Sequence, residues 1–370
     1  MRGKIKIVYI ISTLANVGPV IVLDNLIKSI SKYEEFELYV ITLSNEPEDS
    51  LINSIREYSK IIQLKLSRFK AIFSAKYEIV KILKDIDPHI IHSHGFRGDI
   101  IASSIKRDFN KIKTISTIHN IMFEDYRYSY PPILNRYFIY LHIKALKSID
   151  LNVMISEDQQ VKYRNYPLST IVINNSIDDT IFNRSKSNFE NSSKIVFIFA
   201  GNLTPLKDPL TIVRAFKESS VHKKSLLYIL GDGVLMSEIK EEAKGYENIR
   251  IMGRVNCIEN YYKIADYFVS GSKSEGFGLV LAESMGCGVS PILTKLGSFS
   301  EILSVSNNKK FAKFFENKEQ LVDIFNSIED KVDTTTREEI SRNCLEKFGN
   351  KIFGESYRKV YINLLGLEEY

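Results

Sequence analysis

The chain has 370 residues, 44% of them hydrophobic and 26% charged, which is ordinary globular composition at a length that commonly divides into two domains. Its net charge of +5 is uneven: residues 1–170 hold 24 Lys+Arg against 18 Asp+Glu, or +6, so the remainder carries 5 − 6 = −1. A basic front half favours an anionic partner such as a nucleotide, a nucleic acid or a membrane surface. Cys257, Cys287 and Cys344 are far apart and form no CxxC, which argues against a disulfide framework and a thiolate zinc site and fits a reducing cytoplasm. The opening "MRGKIKIVYII" is read as a first buried strand rather than a signal peptide, because the apolar run is short and lacks a small-x-small cleavage site. No apolar stretch approaches the ~20 residues that span a bilayer, so membrane contact is expected to be peripheral.

In chain order, short β-branched runs alternate with longer amphipathic segments. "KIKIVYII" precedes "VIVLDNLIKSISKY", "FELYVITL" precedes "EDSLINSIREY", "IIQLKL" precedes "SAKYEIVKILKDI", and "HIIHSH" precedes "GDIIASSIKR". "KTISTIH" and "LNVMIS" add further strands. Strand and helix in alternation predict a parallel sheet covered on both faces. The polar stretch "NRSKSNFENSSK", residues 183–194, reads as an interdomain linker. A second alternation follows: "IVFIFAGN", "PLTIVRAFKES", "LLYILGDG", "LMSEIKEEAKG", "IRIMGRV", "CIENYYKIA", "YFVSGS" and "VSPILTK". The expected architecture is α/β: an N-terminal domain over 1–182 and a C-terminal domain over 183–345, two parallel sheets facing a cleft. The closing segment 346–370 is expected to be one amphipathic helix with Phe348, Phe353, Tyr357, Tyr361 and Leu364 on one stripe, crossing back to the first domain.

The strand exits carry the polar and glycine residues, and ligands of open parallel sheets sit beyond those exits. "SEGFGLVLAESMGCG", residues 274–288, places Glu275 in a glycine loop and Glu283 inside the helix that follows. The N–H groups of Gly276, Phe277, Gly278 and Leu279 then lie at a helix start, where phosphate or sugar oxygens bind. The plainer alternative is a loop charge and a solvated helix position. In "AGNLTPLKDP", Lys207 follows Gly201 shortly before a helix and suits a diphosphate as a point charge; an ordinary surface lysine is the alternative. Gly18 is a lone glycine between strand and helix. GxGxxG, the P-loop and HExxH are absent, so hydride transfer and P-loop phosphate chemistry lose support.

His92 and His94 point to one face of a strand, but no third ligand accompanies them, so no metal is expected. His119 stands at another strand exit. Lys65, Arg68, Lys70, Lys76, Lys81 and Lys84, with Lys60 just before them, interleave with apolar residues against the acid Glu78. That pattern suits an anionic membrane surface, or a merely solvated face. The aromatic stretch over 123–143 reads either as the lining of an acceptor groove or as core.

Together the loops resemble the retaining family 4 glycosyltransferases, with the GT-B fold of two Rossmann-like domains. The motifs that carry this are "LANVGPVIVLDNLI", "HIIHSHG", "STIHN", "VINNSID", "AGNLTPLKDPLTIVRAF", "LGDG", "IMGRV" and "SEGFGLVLAESMGCGVSPI", in the family's order. The resemblance implies that Glu283 holds the ribose of a donor nucleotide, that Glu275 and the backbone around Gly276 to Gly278 contact the transferred sugar, and that Lys207 neutralises the diphosphate. It places His119 over the sugar, Gly18 near the donor phosphates, and the base against Arg254 and Val255. His94, Arg97, Asn120 and Tyr126 are the candidate acceptor residues. The chain departs from the family pattern at Asn202, where arginine is frequent, at Ser176, and at the single Gly18.

The implied activity is metal- and cofactor-independent transfer of a hexose or N-acetylhexosamine, from a UDP-sugar substrate to a lipid-linked or polysaccharide acceptor, as in capsule or O-antigen assembly. The expected setting is the inner face of the cell membrane, with no nucleic-acid partner. Two alternatives stay open: a UDP-sugar epimerase or hydrolase, and a non-catalytic subunit that binds nucleotide-sugar.

Overall fold

The computed structural model describes residues 3–67, 75–129, 131–184 and 193–367. The chain divides into two compact units, Met1–Ser176 with Asn350–Tyr370, and Ile177–Gly349. The first crossing thus falls ahead of the polar stretch 183–194, part of which lies outside the described residues.

The first unit holds strands β1 (Ile5–Ile11), β2 (Phe36–Thr42), β3 (Lys60–Gln63), β4 (Ile90–His94), β5 (Lys113–Ile118), β6 (Leu151–Met154) and β7 (Thr170–Val172). Its helices are α1 (Gly18–Ile30), α2 (Ile52–Arg56), α3 (Ala75–Ile86), α4 (Gly95–Lys106), α5 (Met122–Ser129), α6 (Pro132–Leu146) and α7 (Glu157–Tyr163). The strands form one parallel sheet in the order β3-β2-β1-β4-β5-β6-β7. Sequence and topology agree in physical terms: near-continuous Ile/Val runs such as β1 suit a strand buried on both faces. Val8, Ile10, Ile41 and Ile91 meet Ile79, Leu83 and Ile105 of the covering helices in one core. The strand order reverses between β1 and β4, so the loops that leave those two strands diverge and open a crevice at their carboxyl ends.

The second unit holds β8 (Ile195–Ala200), β9 (Ser225–Leu230), β10 (Ile249–Gly253), β11 (Tyr267–Ser270), β12 (Ser290–Thr294) and β13 (Lys313–Phe315). Helices α8 (Pro209–Glu218), α9 (Met236–Glu242), α10 (Ile258–Ile264), α11 (Leu279–Gly286), α12 (Gly297–Val305), α13 (Lys318–Asn326) and α14 (Thr334–Phe348) accompany them. This sheet is also parallel, in the order β10-β9-β8-β11-β12-β13, with its reversal between β8 and β11. Its core is aromatic: Phe197 packs edge-on against Phe325 at a centroid distance of 5.0 Å and Phe216 at 5.9 Å.

The closing segment is not one helix. Helix α14 ends at Phe348, Gly349 is extended, and α15 (Asn350–Leu364) starts afresh. A Cβ on Gly349 would lie 2.8 Å from the Leu345 carbonyl oxygen and 3.1 Å from Asp179 Oδ2, so glycine is required at the break. Phe348 therefore leaves the expected stripe and packs edge-on against Phe277 of the second unit, 5.5 Å between centroids. Phe353, Tyr357 and Tyr361 are buried in the first unit. Gly354 lets α15 approach α1, since a Cβ there would sit 2.8 Å from Ser29 Cβ.

Helix α15 is tied to the sheet by a buried polar chain. Tyr361 Oη bonds His92 Nδ1 at 2.8 Å and Tyr9 Oη at 3.2 Å, while His92 Nε2 bonds Thr117 Oγ1 at 2.8 Å and Thr117 in turn bonds Tyr357 Oη at 2.9 Å. Tyr361→Phe would leave His92 Nδ1 and the Tyr9 hydroxyl without this partner inside the core. We expect a loss of about 1–3 kcal/mol in urea unfolding of the first unit; an unchanged midpoint would count against a role for the chain in stability. Among the described residues, no helix is long and apolar enough to cross a membrane.

Candidate functional site

In the second unit, the strand reversal brings Lys207 and Glu275 together. The loop after β8 turns tightly, with Lys207 and Asp208 both donating their N–H to the Thr204 carbonyl, at 3.0 and 3.1 Å. Asp208 takes a left-handed φ of 47° and Pro209 opens α8. The loop after β11 lies against it: Lys273 N–H donates to the Leu206 carbonyl at 2.8 Å, and a Cβ on Gly271 would sit 3.0 Å from the Asp208 carbonyl oxygen. So held, Lys207 Nζ meets Glu275 Oε1 at 2.6 Å, and Ser272 Oγ donates to the same oxygen at 2.9 Å. The Lys207 and Glu275 side chains are 23% and 12% exposed, so the pair is mostly withdrawn from solvent.

Glycines line the neighbouring exits. A Cβ on Gly231 would fall 1.9 Å from the Gly201 carbonyl oxygen, which leaves room for glycine alone where the β8 and β9 exits touch. Asn202 follows Gly201 and is exposed, as is Arg254 after β10; Val255 is half-buried. Gly278, at φ 110°, caps α11, and a Cβ there would strike the Phe299 ring at 2.8 Å. Leu279, the first residue of α11, is half-buried, while Phe277 is a core residue whose side chain faces Phe348, which leaves only its backbone for a ligand.

Glu283 lies within α11 and is 5% exposed. Burial, with a smaller contribution from Glu259 on α10, pushes its carboxyl up to about 8. The buried Tyr262 hydroxyl beside it has no hydrogen-bond partner among the described residues. A carboxyl in this setting favours its protonated form until a ligand brings donors to it.

In the first unit, the polar residues gather at the ends of β4 and β5. His94 ends β4 and pairs in register with Thr117 of β5, which brings it beside His119. His94 Nδ1 and His119 Nε2 are 2.8 Å apart and the rings stack at 5.1 Å. Burial pushes His119 down to about 4 against a weaker upward pull from Asp99, and burial holds His94 well below the usual histidine range. Both rings are neutral at pH 7. The backbone around His119 is pinned by a residue that sequence reasoning missed: Gln159, fully buried in α7, donates its side-chain amide to the carbonyls of Ile118 and Asn120, each at 2.9 Å. Tyr163 Oη also donates to the Asn120 carbonyl, at 3.2 Å.

Of the remaining acceptor candidates, Arg97 reaches Ser44 Oγ at 3.1 Å, and Tyr126 Oη bonds His142 Nδ1 at 3.0 Å. His142 Nε2 bonds Asp99 at 2.7 Å, and that carboxylate accepts from Ser93 and Ser116 at 2.6 and 2.7 Å. His94 itself is 2% exposed, so its ring meets His119 rather than solvent. Gly18 begins α1, and a Cβ there would meet nothing within 4 Å, so packing inside the chain does not require glycine at this position. Among the described residues, no three His, Cys, Asp or Glu side chains group as metal ligands.

The aromatic stretch 123–143 divides its residues. His142, Ile143 and Leu146 of α6 are buried, whereas Ile133, Leu134, Tyr137 and Tyr140 are 84%, 47%, 55% and 61% exposed. The basic segment 65–84 falls partly outside the described residues; within α3, Lys81 Nζ lies 4.1 Å from the centroid of the exposed Tyr77 ring.

The family model "Glycosyltransferase Family 4" matches residues 18–180 and "Glycosyl transferases group 1" matches residues 180–346. An Escherichia coli O-antigen biosynthesis glycosyltransferase, WclY, is 28% identical over 310 residues, covering 80% of this chain and 82% of its own. The E. coli UDP-Gal:alpha-D-GlcNAc-diphosphoundecaprenol alpha-1,3-galactosyltransferase is 24% identical over 342 residues, covering 86% and 85%. Anabaena HepE, solved in complex with UDP and glucose, superposes with a TM-score of 0.78 at 13% identity, over 97% of this chain and 100% of that one. With its two parallel α/β sheets, the ordered strand-exit motifs and two family models that together span residues 18–346, the chain belongs to the family 4 glycosyltransferases of the GT-B fold.

Proposed function

We propose that this protein transfers a hexose or N-acetylhexosamine from a UDP-sugar to a lipid-linked or polysaccharide acceptor, with retention and without a metal, in the assembly of a cell-surface glycan such as O-antigen or capsule. The observation that carries the reading is the Lys207–Glu275 contact at the strand reversal, with the desolvated Glu283 one helix further on. Lys207 and the N–H groups at the start of α11 would neutralise the charge that develops on a departing nucleoside diphosphate, which removes the need for a divalent ion. Glu283 would accept from the ribose hydroxyls and Glu275 from the transferred sugar. The diphosphoundecaprenol acceptor named for one relative supports a lipid-linked acceptor here, and the UDP bound by HepE supports a uridine donor.

The test is donor turnover. The protein is incubated with UDP-, GDP- and ADP-sugars and membrane lipid extract, and nucleotide release and labelled lipid are measured. Acceptor-dependent release from one donor supports the reading; an epimerised donor without acceptor, or binding without turnover, would replace it with one of the two alternatives. The anomeric configuration of the product decides retention, and activity that survives EDTA decides metal independence.

A lipid-linked acceptor places the enzyme at a membrane, and α6 offers the surface. Ile133, Tyr137 and Tyr140 share one exposed stripe with Arg136 and Lys144, with Lys147 just beyond the helix, and α6 contains no acid. Apolar and aromatic residues interleaved with bases suit the interface of an anionic bilayer, which is the occupant we assign to this stripe. Tyr137→Ser with Tyr140→Ser is expected to reduce co-sedimentation with phosphatidylglycerol vesicles while leaving turnover on a soluble acceptor unchanged. Binding by the double variant equal to wild type would overturn the assignment.

A further inference from the structure

The stacked histidines of the first unit carry an inference about which proton His119 holds. Each neutral imidazole has one N–H, and the 2.8 Å contact between His94 Nδ1 and His119 Nε2 needs one donor and one acceptor. Two arrangements satisfy it. If His119 Nε2–H donates, His94 must carry its own proton on Nε2. If His94 Nδ1–H donates, His94 Nε2 is bare and His119 carries its proton on Nδ1.

The surroundings of His94 decide between them. Its Nε2 is buried with no hydrogen-bond partner among the described residues, in a ring that is 2% exposed. The ring is packed among other rings: His92 lies 4.5 Å away between centroids and Tyr9 6.2 Å. His92 has no spare nitrogen for it, since Tyr361 and Thr117 occupy both of them. An orphaned buried N–H is rarer and more costly than an acceptor left bare. The first arrangement buries such an N–H; the second buries only a lone pair.

We propose that His94 is a positioning residue that donates from Nδ1 to His119 Nε2 and so locks His119 as the Nδ1–H tautomer, with that N–H as the ring's remaining polar group for a ligand. The amide of Gln159 fixes the backbone on both sides of His119 and His94 fixes its ring, so the donor is held by two independent elements, α7 and β4. An Nδ1–H in this position suits a neutral oxygen acceptor such as a sugar hydroxyl, since an imidazole that stays neutral offers a hydrogen bond without a charge. The consequence for turnover rests on the glycosyltransferase reading above; the tautomer itself does not.

The test is the tautomer of His119 in the full-length protein, read from the two- and three-bond couplings between ring nitrogens and carbon-bound protons in 15N-histidine-labelled samples at pH 7. In the wild type, Nδ1 of His119 is expected to be protonated and Nε2 bare. In His94→Leu the lock is gone, and the resonance should move to the Nε2–H form or to a mixture. His94→Asn places an amide near the position of Nδ1 and should restore the wild-type tautomer. In turnover, His94→Leu is expected to lower kcat about ten- to a hundredfold with the donor KM changed far less, and His94→Asn to recover most of the loss. A wild-type His119 protonated on Nε2 overturns the proposal without any variant, as does a tautomer unchanged in His94→Leu. If the wild type turns over no donor while its His119 is the Nδ1–H form, the proposed activity fails and the role of His94 stands.

Discussion

Replacing Glu283 by glutamine is expected to weaken nucleotide binding by about 10–100-fold while making the second unit more stable at pH 8. Both effects come from one desolvated carboxyl. Its native pKa is raised to about 8 from an ordinary 4.5. Below pH 4.5 the side chain is protonated whether the chain is folded or not. Between 4.5 and 8 the unfolded chain releases the proton and the native state keeps it, so native stability falls as pH rises through this window and levels off above it. The slope is at most about 1.4 kcal/mol per pH unit. Glutamine resembles the protonated form at every pH, so the gap between variant and wild type should widen from pH 5 to pH 8. In a unit of this size each kcal/mol moves the thermal midpoint by roughly 2–4 °C.

Binding runs the other way. Ribose hydroxyls donate to a carboxylate, and charge-assisted bonds of this kind are the stronger ones; an amide loses them. A nucleotide that recruits the ionised form must also release a proton at pH 7.5, which calorimetry in buffers of different ionisation enthalpy would register. Parallel stability curves for the two proteins, or equal affinities for UDP, would remove Glu283 from the donor site.

Lys207→Ala is expected to lower kcat by about 10²–10³, the range seen when one preorganised group at a developing charge is removed. The 2.6 Å contact with Glu275 makes the more specific expectation possible. Because the two side chains act as one arrangement, Lys207→Ala with Glu275→Ala should be little worse than Lys207→Ala alone, a strong departure from additivity. Glu275→Ala should spare nucleotide binding, since the nucleotide contacts are assigned to Glu283 and the backbone of α11. Additive losses in kcat would show that the contact is incidental, and a Glu275 variant unable to bind UDP would show that the two glutamates have been assigned the wrong way round.

The sheets and the glycine exits were legible because their signals are local. An Ile/Val run such as β1 reads as a doubly covered strand, and "EGFG" followed by "LVLAESM" reads as a loop opening a helix. The contact between Lys207 and Glu275 was not legible, because it arises from strand order: β8 and β11 become neighbours only where the sheet reverses. The partner of His94 was not legible for a related reason. At a strand exit a histidine is as readily a support as a contact, and only the register with Thr117 places it under His119. Gln159, Asp99 and His142 carry no motif at all; their roles come from burial. The break at Gly349 escaped notice because apolar spacing continues across it, and the glycine is required by a close approach of the Leu345 carbonyl that no helical periodicity records.

The return of the chain to the first unit at Asn350 has a consequence for biosynthesis. The second unit is an insertion within the first: the chain leaves at Ser176, returns at Asn350, and Ser176 Oγ bonds Asn350 Oδ1 at 2.9 Å where the two ends meet. Until α15 emerges, Tyr9, His92 and Thr117 await Tyr357 and Tyr361. At a synthesis rate of about 5–20 residues per second, that interval is on the order of 10–40 s. The first unit is therefore begun before the second and completed only after it, so the buried polar chain beneath α15 cannot close until the whole second unit has been synthesised.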